Sequence, residues 1–462
     1  MSHNIDSVLF NQTTDILAKV FRVDTSKQRL DSVHIRSNMR RLGRIGLFVR
    51  SIHTFLVNLK RQHPELFDTL EKNIIERYLP EKALSCFSLV KPSESHKTLS
   101  MVSGDLVHLL RRFHDCPEVT SLHSCHTLLR VFKEHCTLTE GTDYHPLEFS
   151  LKPAREVPSD SLQNPSDPDA TYDGHKGQGY QAQVMETYND YEDEDLREKT
   201  LNLITHVEVE TACISDAHAL IPAIESTRER GLAPEEVLAD SLYGSDENSE
   251  AAKEMGVEVI SPAMGTSQEG KLCLSDFPQS KGKILSCPQG HAPVRVRSRN
   301  HRHNVAFDSA CCNQCPQFGD CLVKTGSKYH YLRYDDKAIR SANRRAKEQT
   351  EEFKDRYRWR SGIEATFSAW DRKMNVKQLR IRGMVAVRFS VMLKAIGINI
   401  LRATSVLNAL RMTGKGVFAM VKAPIGRIIL VFKERLGTIL AQLTEIFVPL
   451  SRIPDFELRI AT

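Results

Sequence analysis

The chain has 462 residues, of which 40% are hydrophobic and 26% are charged, and its formal net charge is +5. This length and composition indicate a globular protein with a buried core and two or three domains, and they exclude a disordered or fibrous chain. The beginning of the chain has no basic region followed by an apolar run, and the most apolar stretch, residues 387–407, is interrupted by Arg388, Lys394 and Arg402. These features disfavour a signal peptide and a membrane span, so we expect a cytoplasmic protein.

Positive charge is concentrated in one part of the chain. Residues 321–440 hold 26 Lys and Arg against 9 Asp and Glu, so the remainder is acidic. A basic third on an acidic body indicates a polyanionic partner, of which nucleic acid is the commonest. A solvated basic helix surface is an equal alternative on charge alone.

The first predicted element is a short strand over residues 29–35, in which Asp31 shares a face with two apolar side chains. Helical periodicity follows to about residue 137, and residues 150–170, rich in Pro, Ser and Asp, are typical of a linker. Just after the strand comes a basic stripe at four-residue spacing, formed by Arg36, Arg40 and Arg44. These arginines either contact DNA phosphate or face water.

The chain from about residue 171 to 264 is predicted to form two strands, a helix, a strand that ends at Asp240, a second helix and a further strand. A cysteine-rich segment then interrupts the pattern to about residue 333, and a long helix begins near residue 337. This order predicts an α/β fold with one long helix against a sheet. Asp240 lies at a strand end, where open α/β sheets place ligand chemistry.

The stretch YRWRSGIEATFSAWDRK, residues 357–373, is predicted to be helical and to carry Tyr357, Arg360 and Glu364 on one face. Glu364 alone could be an exposed ion-pair partner of Arg360. Together with Asp31 and Asp240 it could instead hold one or two Mg²⁺ ions, because carboxylates from separate elements supply the oxygen ligands used in phosphoryl transfer.

Five of the eleven cysteines lie within 35 residues, in CPQGH and CCNQCPQFGDC. In a cytosolic chain such a cluster is more typical of a metal site than of disulfides. We expect a structural Zn²⁺ whose ligands are Cys287, Cys312, Cys315 and Cys321, with His291 as a substitute ligand. Cys311 is expected to be a bystander that points away, and unligated thiols in a loop are the alternative.

Seven stretches in order carry a family resemblance: RLDSVHIRSN, DPDATYDGHKGQGYQAQV, LITHVEVE, SDAHALIPAIE, VLADSLYGS, CPQGHAPV and YRWRSGIEATFS. They resemble bacterial insertion-sequence transposases with a DDE, ribonuclease H-like catalytic domain, and within that class the insertion-sequence eleven-eighty-two-like group. The resemblance implies that the catalytic residues are Asp31, Asp240 and Glu364, which would hold two Mg²⁺ or Mn²⁺ ions.

The resemblance also implies that Tyr357 and Arg360 bind DNA. The family has a lysine later on the same helix, and this chain departs from that pattern with Asp371. The adjacent Arg372 and Lys373 are the expected substitutes for the missing phosphate contact. Few residues precede Asp31, so we expect that most of the family's N-terminal helical domain is missing.

The implied protein is a transposase that cleaves double-stranded DNA at the inverted-repeat ends of its element and joins these ends to target DNA. It would act as a homo-oligomer on the nucleoid, without a membrane. Two alternatives stay open: an inactive or truncated DNA-binding remnant, and a ribonuclease H-like nuclease that cuts without joining.

The expected fold is a ribonuclease H-like mixed sheet flanked by helices, with a helical insert after the first strand and a zinc-ribbon-like insert before the catalytic Glu helix. In chain order, the expected units are a remnant N-terminal segment with the first strand (1–35), the helical insert (36–150), the catalytic core (151–264), the zinc-ribbon-like insert (265–333), the catalytic Glu helix with a closing helix (334–404), and a basic amphipathic tail (405–462).

Overall fold

The computed structural model describes residues 5–80, 90–139, 148–265 and 271–413. Most of the predicted basic tail, from residue 414 onward, lies outside these residues. The described chain begins with helix α1 (Ile5–Phe21) and strand β1 (Lys27–Arg36).

A helical unit follows β1 and has its own core. Its elements are α2 (Arg44–Gln62), α3 (Pro64–Phe67), α4 (Lys72–Tyr78), α5 (Ser95–Arg112), α6 (Pro117–Thr120), α7 (His123–His135) and the hairpin of β2 (Cys136–Thr139) and β3 (Glu148–Leu151). Apolar side chains at helical spacing, among them Phe48, Phe55 and Leu106, pack into one buried cluster. This cluster is separate from those on the two faces of the central sheet.

The central sheet is mixed. Besides β1, its strands are β4 (Thr171–Asp173), β5 (Gly177–Thr187), β6 (Ile204–Thr211), β7 (Glu236–Leu238) and β8 (Glu258–Ile260). Three helices lie between these strands in the chain: α8 (Glu194–Lys199), α9 (Leu220–Glu229) and α10 (Asp246–Glu254). The spatial order is β6-β5-β1-β7-β8, and β4 pairs with the beginning of β5. β1 is antiparallel to β5 and parallel to β7, which is parallel to β8. This mixed α/β architecture is compatible with a ribonuclease H-like fold.

The stretch predicted to be a linker, residues 150–170, is instead folded against the sheet. Asp167 is fully buried, and its carboxylate accepts hydrogen bonds from the Tyr180 hydroxyl at 2.5 Å and the Gly383 amide at 3.0 Å. The linker prediction is wrong because the polar residues that usually favour a loop here satisfy buried donors.

The cysteine-rich segment forms a small unit around a three-stranded antiparallel sheet. Its elements are β9 (Gln279–Ser280), β10 (Lys283–Ile284), β11 (Arg295–Arg299), β12 (Arg302–Asp308), α11 (Ser309–Asn313) and β13 (Tyr329–Asp335). The three-stranded sheet has the order β11-β12-β13, and β9 and β10 pair separately. Phe277, Phe307 and Leu332 are buried in its core.

Four helices complete the described chain: α12 (Asp336–Glu348), α13 (Glu351–Tyr357), α14 (Gly362–Met374) and α15 (Met384–Thr413). The prediction of one continuous helix through residues 357–373 is wrong, because a 3₁₀ turn (Arg358–Ser361) separates α13 from α14. A further break precedes α13, where the Thr350 hydroxyl accepts a hydrogen bond from the Phe353 amide at 3.2 Å.

Helices cover both faces of the central sheet. On one face, Phe367 and Trp370 of α14 and Val391 of α15 pack against Val33 and Val184. On the other face, α9 and α10 pack against residues of β1 and β7. The segment 384–410 of α15 is long and apolar enough to cross a membrane by length and composition. Its buried side chains belong to the core against the sheet.

Candidate active site

One guanidinium group joins two of the three predicted catalytic acids. Arg360 Nη2 lies 2.7 Å from Asp31 Oδ2, and Arg360 Nη1 lies 3.2 Å from Glu364 Oε1. The Asp31 side chain is 13% exposed, whereas Glu364 is 67% exposed. The arrangement therefore has a buried acid on the sheet, an accessible acid on the helix, and a positive charge between them.

Asp240 is brought to the same place by the sheet register. Arg29 of β1 pairs with Leu238 of the parallel strand β7. Asp31 is two residues beyond Arg29 in β1, and Asp240 is two residues beyond Leu238, just past the end of β7. Burial raises the pKa of Asp31 to about 6; Arg360 opposes this rise, and the negative charges of Asp240 and Asp216 add to it. Asp31 and Asp240 therefore lie close enough to interact electrostatically.

Glu364 lies in the first turn of α14, where the helix dipole favours a carboxylate. The start of this helix is held by Arg29, whose Nη1 donates to the Trp359 carbonyl at 2.7 Å. A Cβ at Gly362 would lie 2.0 Å from that same Nη1 atom. The absence of a side chain at Gly362 therefore leaves the space that the guanidinium of Arg29 occupies beside the 3₁₀ turn.

A fully buried carboxylate, Glu186 of β5, anchors the same region. It accepts hydrogen bonds from Arg29 at 2.8 Å, from Arg402 at 2.9 Å and from the Thr366 hydroxyl at 2.8 Å. Burial would raise the pKa of Glu186, but Arg402 and Arg29 outweigh it and hold the pKa below its usual value. The network connects β1, β5, α14 and α15, so it fixes α14, the helix that carries Glu364, against the sheet.

The predicted DNA-binding residues near Glu364 are placed as follows. Tyr357 ends α13 and stacks on Phe353, with ring centroids 5.4 Å apart. Burial raises the pKa of Tyr357, and the charges of Arg360, Asp240 and Asp31 act on it. Arg372 and Lys373 are exposed in the last turn of α14, two turns beyond Glu364.

The basic stripe predicted after β1 does not form as one surface of a helix. Arg36 is the exposed last residue of β1, Arg40 lies in the connection, and α2 begins at Arg44. Arg44 Nη2 donates to the His135 carbonyl at 2.9 Å. The three arginines therefore do not share one helix face, because a four-residue spacing aligns side chains only within a continuous helix.

A polar cluster beside Asp31 was not predicted from the sequence. Asp216 is buried, accepts from Ser32 Oγ at 3.1 Å and from Gln183 Nε2 at 2.7 Å, and lies 3.6 Å from Lys176 Nζ. Lys176 also donates to Ser32 Oγ at 3.0 Å. Both charged residues stand in stretches that carry the family resemblance, SDAHALIPAIE and GHKGQGYQ, and that was the available signal. Burial raises the pKa of the neighbouring Tyr243 well above its usual value, and the charges of Asp216, Asp31 and Asp240 raise it further.

The predicted zinc ligands share one small pocket. It is lined by Cys287, Cys312, Cys315 and Cys321, together with Cys311 and His291. Burial raises the pKa of Cys312 to about 11, and the neighbouring thiols add to the rise. Cys311, expected to point away, also lines this pocket, because it is adjacent to Cys312 on the short helix α11.

Neither the acidic cluster nor the cysteine-rich cluster has the geometry of a formed metal site. Over the described ranges, no group of three or more His, Cys, Asp or Glu side chains is positioned to hold a metal ion. The donor atoms nevertheless suit the two expected ions. Mg²⁺ binds carboxylate oxygens, and Zn²⁺ binds cysteine sulfurs.

Residues 286–404 match the family model described as the transposase DDE domain. The matched segment contains the cysteine pocket, Arg360 and Glu364, whereas Asp31 and Asp240 lie before it. None of the curated proteins matches the chain. The family match supports a DDE transposase, and the mixed sheet is compatible with the fold of such enzymes.

Proposed function

We propose that this chain is a DNA transposase of the insertion-sequence eleven-eighty-two-like group, and that Asp31, Asp240 and Glu364 are its catalytic acids. The observation that carries the proposal is the guanidinium of Arg360 between Asp31 and Glu364, with Asp240 just past the end of β7 and near enough to raise the pKa of Asp31. DDE transposases typically use divalent metal ions, so a cation at this site agrees with the matched family.

The three carboxylates would hold Mg²⁺ or Mn²⁺, as two ions. When bound, these ions supply activation of the attacking oxygen and stabilisation of the leaving oxygen. The chain itself supplies the negative charge that holds them, and the buried position of Asp31 limits its exposure to water. Arg360, when not paired with the acids, is placed to contact a DNA phosphate oxygen.

The proposed reaction has two steps. Water attacks a phosphorus atom at the element end, and the bond from phosphorus to the 3′ oxygen breaks, which leaves a 3′-hydroxyl and a 5′-phosphate. The 3′-hydroxyl then attacks a phosphorus atom of the target DNA, where another 3′ oxygen leaves. Tyr357, Arg372, Lys373, Arg36 and Arg40 are the proposed further DNA contacts.

The proposal includes a structural zinc ion in the cysteine pocket, with His291 as a substitute ligand. It also includes a homo-oligomer on paired DNA ends, in the cytoplasm at the nucleoid. The domain limits expected from the sequence remain part of the proposal. A non-catalytic DNA-binding remnant and a nuclease that cuts without joining are the competing functions.

The test uses the full chain and labelled duplexes that contain the inverted repeats flanking its gene, with Mg²⁺ or Mn²⁺. Glu364→Gln keeps the side-chain shape and removes the charge, so we expect cleavage to fall at least ~100-fold while DNA binding persists. Glu352→Gln, which changes an exposed acid on α13, is the matched control and should cleave normally.

The products separate the candidate functions. Joining of the 3′ ends to a target plasmid supports a transposase. Cleavage without joining favours the nuclease, and binding without cleavage favours the remnant. Equal cleavage by the wild type and the Glu364→Gln variant would show that Glu364 is not catalytic.

A further inference from the structure

A second concentration of positive charge lies on the three-stranded sheet of the cysteine-rich unit. Five arginines on its strands have exposed side chains: Arg295, Arg297, Arg299, Arg302 and Arg333. Only Arg333 falls in the basic stretch noted in the sequence. The acids of the candidate active site belong to other elements of the fold.

The register of the sheet places these arginines on one face. Asn304 in the central strand pairs with Arg297 on one side and with Arg333 on the other. Arg302 pairs with Arg299, and Arg295 is two residues before Arg297 on the same strand. Because side chains alternate between faces, all five arginines point to the same side.

The opposite face of this sheet is its core. Val305, Leu332 and Tyr334 alternate with the residues of the arginine face and are buried. The arginine face is therefore the solvent side. A groove on the unit is lined by Arg297, Arg299, Arg302 and Arg333.

The face also carries Asp308 and Asp335, so its five arginines leave it with an excess of positive charge. None of the five arginines forms an ion pair within the part of the chain that the structure describes. The two acids at the end of β13 already have other partners: Asp335 accepts from the Ala338 amide at 2.7 Å and caps α12, and Asp336 accepts from His301 at 2.8 Å and His303 at 2.6 Å.

The spacing of the arginines suits a nucleic-acid backbone. Alternate residues of a strand are roughly 7 Å apart, and neighbouring strands are about 5 Å apart. From Arg295 to Arg299 the face thus extends roughly 13 Å along β11, which equals about four base-pair rises along the axis of a DNA duplex. Arginine also binds phosphate oxygens in a bidentate manner.

We propose that this arginine face binds the phosphate backbone of duplex DNA, independently of base sequence. A duplex is favoured over a single strand because single-strand binding relies on exposed aromatic platforms. On this face Tyr331 is only half-buried, and the guanidinium of Arg333 already lies over its ring, at 5.9 Å from the centroid. The face shares its ligand with the proposed function but uses neither the acids nor cleavage.

The test is fluorescence anisotropy of the full chain with a labelled duplex of arbitrary sequence, titrated at several salt concentrations. The variant Arg297→Gln, Arg299→Gln, Arg333→Gln should bind at least ~10-fold more weakly at 0.1 M salt. Each lost phosphate contact lowers the slope of log K against log salt by about 0.9, so the slope should fall by roughly 2 to 3.

Two variants serve as controls. Replacing three exposed cations on α5, α8 and α10 by glutamine, at Lys97, Arg197 and Lys253, changes the net charge equally and should leave the slope nearly unchanged. Replacing the three sheet arginines by lysine keeps the charge and should restore most of the binding. Circular dichroism melting of each variant establishes that the fold is retained.

Three outcomes overturn the proposal: a wild type that does not bind duplex DNA, a glutamine variant that binds like its charge control, and a glutamine variant that loses duplex RNA but retains duplex DNA. The cleavage assay is separate. If the glutamine variant has a lower salt slope than the wild type, but the wild type never cleaves DNA, the proposed DNA-binding surface is supported and the transposase proposal fails. If Glu364→Gln abolishes cleavage but the glutamine variant of the arginine face has the same salt slope as the wild type, the transposase proposal is supported and the surface proposal fails.

Discussion

Arg360 donates to the carboxylate of Asp31 at 2.7 Å, although 329 positions separate the two residues in the chain. The contact forms because β1 lies in the centre of the sheet and the 3₁₀ turn places Arg360 over it. The same guanidinium reaches Glu364. A single side chain therefore connects the sheet acid to the helix acid, and its replacement is the most direct probe of the proposed site.

Arg360→Ala should weaken DNA binding across all sequences and lower the salt slope by about 1, because a phosphate contact carries no base information. It should also reduce cleavage, since Asp31 loses the positive charge that opposes the burial-driven rise of its pKa. Arg358→Ala is the control in the same turn: Arg358 is half-exposed and pairs with Glu192 and Asp355. If Arg358→Ala lowers DNA affinity and cleavage as much as Arg360→Ala does, Arg360 has no specific role at the site.

Arg402→Met should destabilise the fold by about 3 kcal/mol, because it leaves the buried charge of Glu186 with fewer partners. The double variant Glu186→Met, Arg402→Met removes the acid as well and should recover part of that loss. Urea denaturation followed by circular dichroism gives the comparison. A single variant as stable as the wild type would show that Arg29 alone is a sufficient partner for Glu186.

The zinc proposal predicts about one zinc ion per purified chain and a lower melting temperature after chelation. Cys312→Ser should lose the metal, because its thiol lines the cysteine pocket. Cys273→Ser is the matched control, since Cys273 is a free cysteine that is absent from the pocket lining. Metal analysis that finds no zinc in the wild type, with unchanged melting after chelation, contradicts the site.

Sequence reasoning succeeded where local periodicity determines the element. Alternating apolar residues predicted the strands that became β1, β5 and β6, and turn residues bounded the helices. It failed where a distant side chain decides the local conformation. Arg29 donates to the Trp359 carbonyl in the 3₁₀ turn before Gly362, and Asp167 joins residues 150–170 to Tyr180 and Gly383. These contacts connect segments far apart in the chain, so no local window contains them.

The candidate site shows the same division. The family resemblance selected three acids from separate elements, but it assigned no role to Asp216 or Lys176, which stand in resembling stretches and meet at Ser32 beside Asp31. Side chains on different elements become neighbours only when the strands pair in one particular register, and this register is not visible in either segment alone. The same holds for the arginine face, whose five members come from three strands.

Buried histidine makes the stability of the fold sensitive to acid. His206 of β6 is 7% exposed, and burial lowers its pKa to about 4, with Arg230 adding to the effect. Since an exposed histidine has a pKa near 6.5, the unfolded chain binds a proton first as the pH falls. The stabilising contribution is therefore complete above pH ~6.5 and is lost progressively towards pH ~4. Between pH 7.5 and 5.5 the expected loss from this residue is about 1 kcal/mol. The pH dependence of urea denaturation should be weaker by that amount in His206→Gln, whereas His175→Gln, at an exposed position, should match the wild type. An identical pH dependence in wild type and His206→Gln would mean that His206 keeps an ordinary pKa in the folded chain.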